Sequence, residues 1–554
     1  MANPTISDML YQWGERPLHE YLRMHAQKTP GQPAIIWYGR IITYGELEDW
    51  TDRFATFLTS QRVAVGDRVA LYLGNCPQFV IAFLGAQKIG AIVTPVSPAF
   101  KEWELQYQLD HSGARVIVLS YDNYAVLASI RDQTAVELVV ATDYCDFLPE
   151  TPTLPVPPEM VVSRVHLDNV ADLIETLSAT PANPPEPDLE IGQVSLMIYT
   201  SGTTGSPKGA MLTYRNAIFK AAAGCVSNGV TAKDVTLATM PLSHIAGLLV
   251  GLNLVIYQGI SEVLLYRFDP DAAVQAIEQY GVTWWLSVVP MNRAILDRLG
   301  TKSPRLTSLQ HNLCTSFGMP LTEDLAHQWQ TLTNGCRIHE SSYGLTETHT
   351  GDTAMPVDAI RWGTVGKPVI GCQIRIVDPD TGQECPVNTQ GEIAVRNPGV
   401  FAGYWHAPEA TAAALRDGYV LTGDVGKMDD DGYLYFQGRF KEMIKVSGYS
   451  VFPEDVESLL IHHPKIAQVA VIGITHPYHG EVVKAYVVAK PGETLSPEEL
   501  IDWSKERMAH YKYPREVEVL ASLPATGTGK ILRRILKERQ QSTSDPGRNQ
   551  PPRA

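Results

Sequence analysis

The sequence predicts an α/β protein of two domains, a large N-terminal domain of βα units on parallel sheets and a small α+β C-terminal domain. Its 554 residues exceed the roughly 250–300 residues that a single hydrophobic core holds. Strand-like and helix-like runs alternate through the first two hundred residues, which favours parallel sheets covered by helices. The order of elements changes near residue 440. We therefore predict a large domain over 1–439, a small domain over 440–540 and a polar, disordered tail over 541–554.

The N-terminal alternation begins with the apolar run 68–73, which fits a buried strand. A helix is expected over 77–89, and a second strand over 91–94. The next helix is expected over 102–111 and the next strand over 115–119. Each change from a short apolar run to helical spacing marks one βα unit.

The C-terminal segment has a different pattern. It predicts a helix over 454–462, strands over 468–473 and 482–489, and a helix over 496–508. Ser496 and Glu499 form a capping-box pattern at the start of the second helix. About a hundred residues of this kind make a small α+β domain.

Composition excludes several classes of protein. Lys and Arg number 45 against 60 Asp and Glu, a net charge of −15, so there is no basic footprint for general nucleic-acid binding. No stretch has the roughly 18–20 apolar residues of a membrane span, and no signal-peptide pattern is present. The seven cysteines are odd in number and lack CxxC spacing, which favours reduced thiols in a cytoplasmic enzyme.

The segment 199–209, Tyr-Thr-Ser-Gly-Thr-Thr-Gly-Ser-Pro-Lys-Gly, carries the strongest chemical signal. It follows a strand-like run over 194–199. Glycines let backbone amides approach an anion, hydroxyls donate to phosphate oxygens, and Lys208 adds positive charge. A Walker P-loop needs a different spacing. We predict a nucleotide-phosphate loop.

Further motifs follow in a fixed order, at 240–247, 342–347, 391–404, 419–424, 438–448 and 524–530. Together with the phosphate loop they resemble the signatures of the adenylate-forming superfamily, and within it the acyl-CoA synthetases. The resemblance spans residues 20–540. It implies an ATP-dependent carboxylic acid–CoA ligase that works through an acyl-adenylate and releases AMP and pyrophosphate. The phosphoryl chemistry needs cations and hydrogen-bond donors around phosphate.

The resemblance also implies roles for individual residues. Thr200 and Glu347 would hold Mg²⁺, and Thr346 would contact the α-phosphate. Asp424 would accept the ribose hydroxyls, and Lys530 would bridge carboxylate and α-phosphate during adenylation. The remaining ATP-binding residues would be Ser201, Gly202, Thr203, Thr204, Lys208, Gly318, Met319, Pro320, Ser342, Tyr343 (against adenine) and Arg439.

For the thioester step, the resemblance implies that the small domain rotates about a hinge at Lys441. Lys445, a second catalytic residue, would then enter the site with the other predicted CoA-binding residues, Ser447, Gly448 and Tyr449. His244 would be a packing gate between the acyl pocket and the thiol tunnel. The other expected pocket residues are Trp285, Phe317, Met319 and Ser341.

The substrate class follows from the apolar residues expected at the pocket, which also include Trp284. A medium- or long-chain fatty acid is the first expectation, and an aryl or alicyclic acid is the second. Phe317 stands where the family often has glycine, so it is expected to shorten or redirect the pocket. His349 and Asp352 have two interpretations, a polar rim of the pocket or solvated loop residues.

Four other functions remain as alternatives. An acyl-AMP ligase that loads a carrier protein would need an insertion for which 366–391 leaves little room. Amino-acid activation would need an Asp near 242–244, and that motif has none. A luciferase-like oxidation has no positive support, and a non-catalytic scaffold would have lost Lys530 or Glu347. The expected partners are therefore a small carboxylic acid, ATP and CoA, with no nucleic acid; a homodimer is compatible with the sequence.

Overall fold

A computed structural model describes residues 10–161, 167–200, 207–300, 305–316, 321–447, 449–476, 478–526 and 529–544. Its longer α-helices are Leu18–Lys28, Tyr44–Ser60, Pro77–Lys88, Glu102–Ser112, Tyr214–Ser227, Pro270–Tyr280, Val289–Leu299, Glu323–Leu332 and Arg533–Ser544. The shorter ones are Tyr124–Ile130, Leu173–Ala179, Ile245–Leu248, Leu254–Gln258, Pro408–Ala414, Pro453–Leu460 and Pro497–Lys505.

Two large sheets form the N-terminal part. The first has seven strands in the spatial order Arg337–Glu340, His311–Thr315, Trp284–Val288, Val235–Ala238, Ser261–Leu264, Pro33–Trp37 and Arg40–Thr43. Its neighbours are parallel except for the last pair. Strands that run in one direction bring their carboxyl ends to one edge, where ligands bind in open α/β sheets.

The second sheet has eight strands in the order Gly403–Tyr404, Lys208–Thr213, Val194–Thr200, Ile92–Pro95, Arg68–Tyr72, Val116–Ser120, Leu138–Thr142 and Ala171–Asp172. The six strands from Val194–Thr200 onward are parallel to one another. The first two pair antiparallel. The segment that carries the phosphate loop is therefore a hairpin near one edge of this sheet.

The core between these sheets is apolar and continuous. Every residue of the helix Pro77–Lys88 is buried in it. Even Lys88 is buried, and its Nζ lies 2.7 Å from Glu48 Oε2 and 2.6 Å from Asp52 Oδ1. A buried ammonium needs such partners because desolvation disfavours an unpaired charge.

Two smaller sheets complete the fold. A third, antiparallel sheet contains Gln373–Val377, Gly391–Arg396, Tyr419–Met428, Leu415–Arg416 and Leu434–Arg439. A fourth lies in the small domain and contains Tyr449–Val451, Ile444–Val446, Gly480–Ala489, Ile466–His476 and Glu516–Val519. The two-stranded pair Thr353–Ala354 and Lys367–Pro368 precedes both of them in sequence. The small domain has its own apolar core, as an independent domain requires.

The structure confirms the predicted α/β class with parallel sheets and a separate small C-terminal domain. The predicted strands and helices are present with ends that differ by a few residues. The Ser496 hydroxyl accepts the Glu499 backbone N–H, which caps the helix Pro497–Lys505. The last helix continues to Ser544, four residues into the segment predicted as a tail.

All seven cysteines are free thiols. Among the helices that the structure describes, none combines the length and the hydrophobicity that a membrane span needs.

Candidate active site

The phosphate hairpin places Thr200 and Lys208 opposite each other. The strands Val194–Thr200 and Lys208–Thr213 pair antiparallel, and these two residues are register partners at the loop end. The predicted loop residues Ser201, Gly202, Thr203 and Thr204 lie outside the described residues. The hairpin thus presents one hydroxyl and one cation to whatever the loop binds.

Neighbouring elements hold this hairpin in place. The Tyr107 hydroxyl donates to the Pro207 carbonyl at 2.8 Å, just before Lys208. His111 Nδ1 lies 2.8 Å from the Tyr199 hydroxyl, just before Thr200. Both contacts come from the helix Glu102–Ser112, so this helix supports both ends of the loop.

Tyr404 joins the hairpin to the predicted magnesium ligand. Its strand, Gly403–Tyr404, pairs with Lys208–Thr213. The Tyr404 hydroxyl donates to Glu347 Oε1 at 2.6 Å, and Lys208 Nζ lies 5.1 Å from the Tyr404 ring centroid. Burial and the Glu347 carboxylate raise the pKa of Tyr404, which keeps the phenol protonated as a donor. The motif 391–404 marked this segment, but sequence reasoning assigned Tyr404 no role.

The turn that carries Thr346 and Glu347 is tightly constrained. Residues Thr346–Thr348 form a 3-10 turn. A Cβ atom at Gly344 would lie 2.5 Å from the Gly351 backbone nitrogen, so glycine is needed where two backbone segments approach this closely. The Phe401 N–H donates to the Glu347 carbonyl at 2.8 Å. These constraints fix the position of the Glu347 backbone, from which the carboxylate side chain extends.

A buried carboxylate lies where the ribose is expected. Asp424 and Arg439 are register partners on the third sheet, and Arg439 Nε lies 3.0 Å from Asp424 Oδ1. The Tyr343 hydroxyl donates to Asp424 Oδ2 at 2.8 Å. Burial raises the pKa of Asp424, while Arg439 and the Tyr343 hydroxyl act in the opposite direction.

Asp424 retains one acceptor atom for a ligand. Although Arg439 is close to Oδ1, this buried oxygen accepts no hydrogen bond from the described residues. A buried acceptor without a donor is costly, and the hydroxyl groups of a vicinal diol are donors that can supply the missing hydrogen bond. Tyr343 also packs on Phe436, with ring centroids 6.0 Å apart. The predicted neighbours Gly318, Met319 and Pro320 lie outside the described residues.

The small domain brings Lys530 to this group. Lys530 is exposed, yet desolvation and the Arg439 cation lower the pKa of its ammonium group, against the effect of Glu442 and Asp424. Burial, with the Lys530 charge acting in the same direction, lowers the pKa of His244 to about 4. The imidazole is therefore neutral near pH 7. Its ring accepts the Ala246 N–H at 3.3 Å at the start of the helix Ile245–Leu248.

The predicted CoA-binding residues Lys445 and Tyr449 lie on the paired strands Ile444–Val446 and Tyr449–Val451 of the small domain. The Lys445 N–H donates to Glu481 Oε2 at 2.8 Å. The Ser447 hydroxyl lies 2.8 Å from His479 Nδ1, and Tyr449 stacks on Tyr511 with centroids 4.2 Å apart. Gly448 lies outside the described residues.

The predicted hinge residue Lys441 lies in the 3-10 turn Phe440–Glu442. Glu442, the next residue, accepts from Arg533 Nη1 at 2.5 Å. Arg533 also pairs with Glu454 at 2.9 Å and Glu457 at 2.7 Å. This mostly buried ion-pair cluster links the end of the turn Phe440–Glu442 to the segment that follows Lys530.

A small apolar cavity of about 30 Å³ adjoins Ser342, one of the predicted nucleotide-binding residues. The residues that line the cavity come from helices, from strands of the first sheet and from the segment 342–353. They are Gly224, Asn228, Leu249, Val250, Leu254, Trp284, Leu286, Leu313, Ser342, Gly351 and Thr353. Leu249 and Val250 belong to a π-helical segment, Leu249–Asn253. Such irregular turns are frequent at functional sites.

Trp285, predicted to line the acyl pocket, is not among the residues that line this cavity. Trp284 and Leu286 line the cavity, whereas Trp285 packs against Phe268 and Trp329. Successive residues of a strand point to opposite faces of the sheet, so only one of the two tryptophans can face the cavity. Ser342 lines the cavity and its neighbour Ser341 does not. Phe317 and Met319 lie outside the described residues.

His349 and Asp352 match neither interpretation, because both side chains are fully buried. Asp352 Oδ1 lies 2.5 Å from Lys220 Nζ, and it also accepts from Asn397 Nδ2 at 2.9 Å. His349 Nε2 lies 3.0 Å from Asn253 Nδ2. Burial, with Lys220 acting in the same direction, lowers the pKa of His349 to about 3. Both residues fix the segment behind the cavity.

Comparison with known proteins identifies the class. The model of the AMP-binding enzyme family matches residues 22–405, and the model of the AMP-binding enzyme C-terminal domain matches residues 455–530. The chain therefore belongs to the AMP-binding enzyme family. It is an AMP-forming acid–thiol ligase, an acyl-CoA synthetase.

Individual relatives agree along nearly the whole chain. A long-chain-fatty-acid–CoA ligase of Bacillus subtilis is 32% identical over 546 residues, 95% of each chain. A feruloyl-CoA synthase of Amycolatopsis sp is 34% identical over 519 residues, 93% of this chain and 97% of the relative. The structure of ATP-bound MatB from Rhodopseudomonas palustris is similar at TM-score 0.82 and 27% identity, over 95% of this chain and 100% of that one. Nucleotide binding by this chain is accordingly supported.

Proposed function

We propose that this ligase activates an apolar carboxylic acid, with medium- or long-chain fatty acids as the first class. The observation that supports the proposal is the apolar lining of the small cavity beside Ser342, a predicted nucleotide-binding residue. Leucine, valine and tryptophan side chains dominate its wall, and burial of acyl carbon against them is favourable. The fatty-acid names among the relatives agree with this class.

Aryl acids are the second class. Trp284 contributes an aromatic side chain to the cavity lining, and aromatic rings pack favourably against one another. The relative named feruloyl-CoA synthase favours the same class. An alicyclic acid would use the same wall through apolar contact alone.

In the first step, a carboxylate oxygen of the acid attacks the α-phosphorus of ATP, and the bond to the pyrophosphate oxygen breaks. In this proposal Lys530 brings the carboxylate and the α-phosphate together, and Lys208 and the hydroxyl of Thr346 offset the developing charge. Thr200 and Glu347 would hold Mg²⁺; one carboxylate with substrate phosphates suits this ion, which neutralises phosphate charge when bound. Asp424 holds the ribose.

In the second step, the CoA thiol loses its proton, its sulfur attacks the acyl carbon, and AMP leaves. We propose that the small domain, residues 440–540, rotates about Lys441 so that Lys445, Ser447, Gly448 and Tyr449 replace Lys530 at the site. His244 then serves as the gate through which the thiol approaches. The homodimer stays a prediction.

The test of the proposed function is pyrophosphate release from MgATP over fatty, aryl and amino acids, with and without CoA. CoA-dependent turnover of one apolar class, with an acyl-CoA product of the correct mass, is the expected result. Pyrophosphate exchange without any CoA product would instead indicate an acyl-AMP ligase. Turnover of amino acids alone would contradict the apolar substrate.

Tyr404→Phe tests the predicted role of Glu347. The change removes the donor to Glu347 Oε1 but keeps the ring beneath Lys208. Since a hydrogen bond to a charged group contributes about 1.5–3 kcal/mol, half-maximal pyrophosphate release should need roughly tenfold more Mg²⁺. An unchanged Mg²⁺ dependence would mean that Tyr404 does not orient the metal ligand. Tyr107→Phe, which removes a hydroxyl from the other side of the hairpin, is the matched control.

A further inference from the structure

A fully buried ion pair adjoins the turn that carries Thr346 and Glu347. Lys220 Nζ lies 2.5 Å from Asp352 Oδ1, and both side chains are completely buried. Lys220 Nζ also donates to the Gly351 carbonyl at 3.3 Å. Burial of two charges has a large desolvation penalty, and the contacts of this pair show what it holds in place.

The pair closes the base of a loop, residues 343–352. The Asp352 N–H donates to the Tyr343 carbonyl at 2.7 Å, so the first and the last residue of the loop are joined. The Asp352 carboxylate also accepts from the Thr348 hydroxyl inside the loop. Glu347 precedes Thr348, so the buried carboxylate is anchored one residue away from the predicted magnesium ligand.

The loop returns to its base through a strained turn. His349 and Thr350 have φ values of 57° and 53°, and Gly351 follows with 60°. The left-handed region is disfavoured for residues that carry a Cβ atom, and such strain persists only where surrounding contacts over-determine the backbone. Lys220 holds the end of this turn through the Gly351 carbonyl, and Asn253 holds its start through the buried His349 ring.

A second segment, residues 397–401, links the pair to Glu347. Its first residue, an asparagine, donates a side-chain N–H to Asp352 Oδ1 at 2.9 Å. Its last residue, a phenylalanine, donates its backbone N–H to the Glu347 carbonyl at 2.8 Å. Between them, a Cβ atom at Gly399 would lie 2.5 Å from Lys220 Cε, so the stem of the lysine packs directly against this segment. The pair therefore supports the Glu347 backbone from two directions.

We propose that Lys220 and Asp352 are positioning residues for the magnesium site, because the buried pair holds the backbone from which the Glu347 carboxylate extends to the ion. Neither residue touches a substrate in this assignment. The inference rests on the proposed role of Glu347 as a magnesium ligand. Partners that orient a metal ligand typically contribute about ten- to a hundredfold to metal affinity or activity, so loss of the pair should weaken Mg²⁺ binding.

The experiment measures Mg²⁺ affinity without turnover. Mg²⁺ is titrated by calorimetry into an equimolar complex of the whole enzyme with α,β-methylene-ATP, whose α–β bridge cannot be cleaved; a titration of the analogue alone is the blank. Lys220→Met keeps an unbranched side chain but removes the ammonium group, and it should raise the dissociation constant of Mg²⁺ about tenfold or more. An unchanged dissociation constant would overturn the inference.

Lys88→Met is the matched control. Lys88 is a second buried ammonium group with two carboxylate partners, Glu48 and Asp52, and it belongs to neither of the segments that hold Glu347. Its loss should lower the melting temperature without changing the Mg²⁺ affinity. An equal loss of Mg²⁺ affinity in Lys88→Met and Lys220→Met would contradict a specific positioning role.

Lys220→Met leaves Asp352 buried without a cation, which is strongly destabilising. The double variant Lys220→Met/Asp352→Asn contains no unpaired buried charge, so it should recover melting temperature while its Mg²⁺ affinity stays low. Recovery of both would overturn the inference, because charge balance alone would then explain the pair. Glu347→Gln separates the two proposals. If it alone weakens Mg²⁺ binding, the inference fails and Glu347 remains the ligand; if it has no effect, the proposed role of Glu347 fails and the inference with it.

Discussion

Lys530→Ala is expected to abolish acyl-adenylate formation and to leave thioester formation from supplied acyl-AMP largely intact. The Lys530 charge acts on Asp424, Arg439 and His244, which agrees with the proposed role of Lys530 in adenylation. Removal of one donor from a developing anion typically costs about 10²–10³ in rate, and a lost cation should cost at least as much. Pyrophosphate release measures the first step, and acyl-CoA formed from synthetic acyl-AMP measures the second. Equal losses in both steps would contradict the separation of roles.

The pH profile gives the same residue a second test. Desolvation and Arg439 lower the pKa of Lys530, so its ammonium form is lost at a lower pH than that of a free lysine. The rate of adenylation should therefore fall as the pH rises, and this fall should occur at a pH below the ordinary pKa of lysine. Lys530→Arg keeps the charge at all accessible pH values, so its residual activity should lack this decline. If the wild-type enzyme and Lys530→Arg lose activity identically at alkaline pH, the loss must come from the titration of another group.

Asp424→Asn is expected to produce the second large effect, a loss of about 10²-fold in kcat/KM for ATP. The substitution removes the charge that Arg439 faces at 3.0 Å, and it weakens the acceptor offered to the ribose. Loss of one partner of a buried ion pair is strongly destabilising, so ATP binding by calorimetry must be compared with the melting temperature of the variant. The discrimination between ATP and 2′-deoxyATP should also fall.

Tyr343→Phe is the matched control for Asp424. It removes the donor to Asp424 Oδ2 but keeps the ring and the carboxylate. A smaller loss, about tenfold, is expected because a neutral donor to a charged acceptor contributes less than the charge itself. Full discrimination against 2′-deoxyATP in Asp424→Asn would mean that this carboxylate does not hold the ribose.

Much of the fold could be predicted because its determinants are local. The apolar run at 68–73 and the helical spacing at 77–89 depend on residues within one element. The capping of Pro497–Lys505 by Ser496 likewise depends on four consecutive positions. The family motifs placed the candidate site residues in order, although their roles stay predictions.

The remaining features depend on residues that are distant in sequence. Tyr404 meets Glu347 and Lys208 because a two-residue strand joins the edge of the second sheet, and no periodicity marks such a pairing. His349 and Asp352 are buried because Asn253 and Lys220 reach them from helices of other units. A loop sequence gives no sign of partners about a hundred residues away.

By itself, the sequence determined the α/β class, the small C-terminal domain and the membership in the AMP-forming ligases, because periodicity and ordered motifs are written along the chain. Only the tertiary structure decided which of Trp284 and Trp285 borders the cavity, and that Asp424 keeps an acceptor atom while paired with Arg439. Both depend on strand register and on the packing of separate sheets. A shift of one residue in register exchanges the two faces of a strand, so the chemistry of this cavity is set by how the strands align in space.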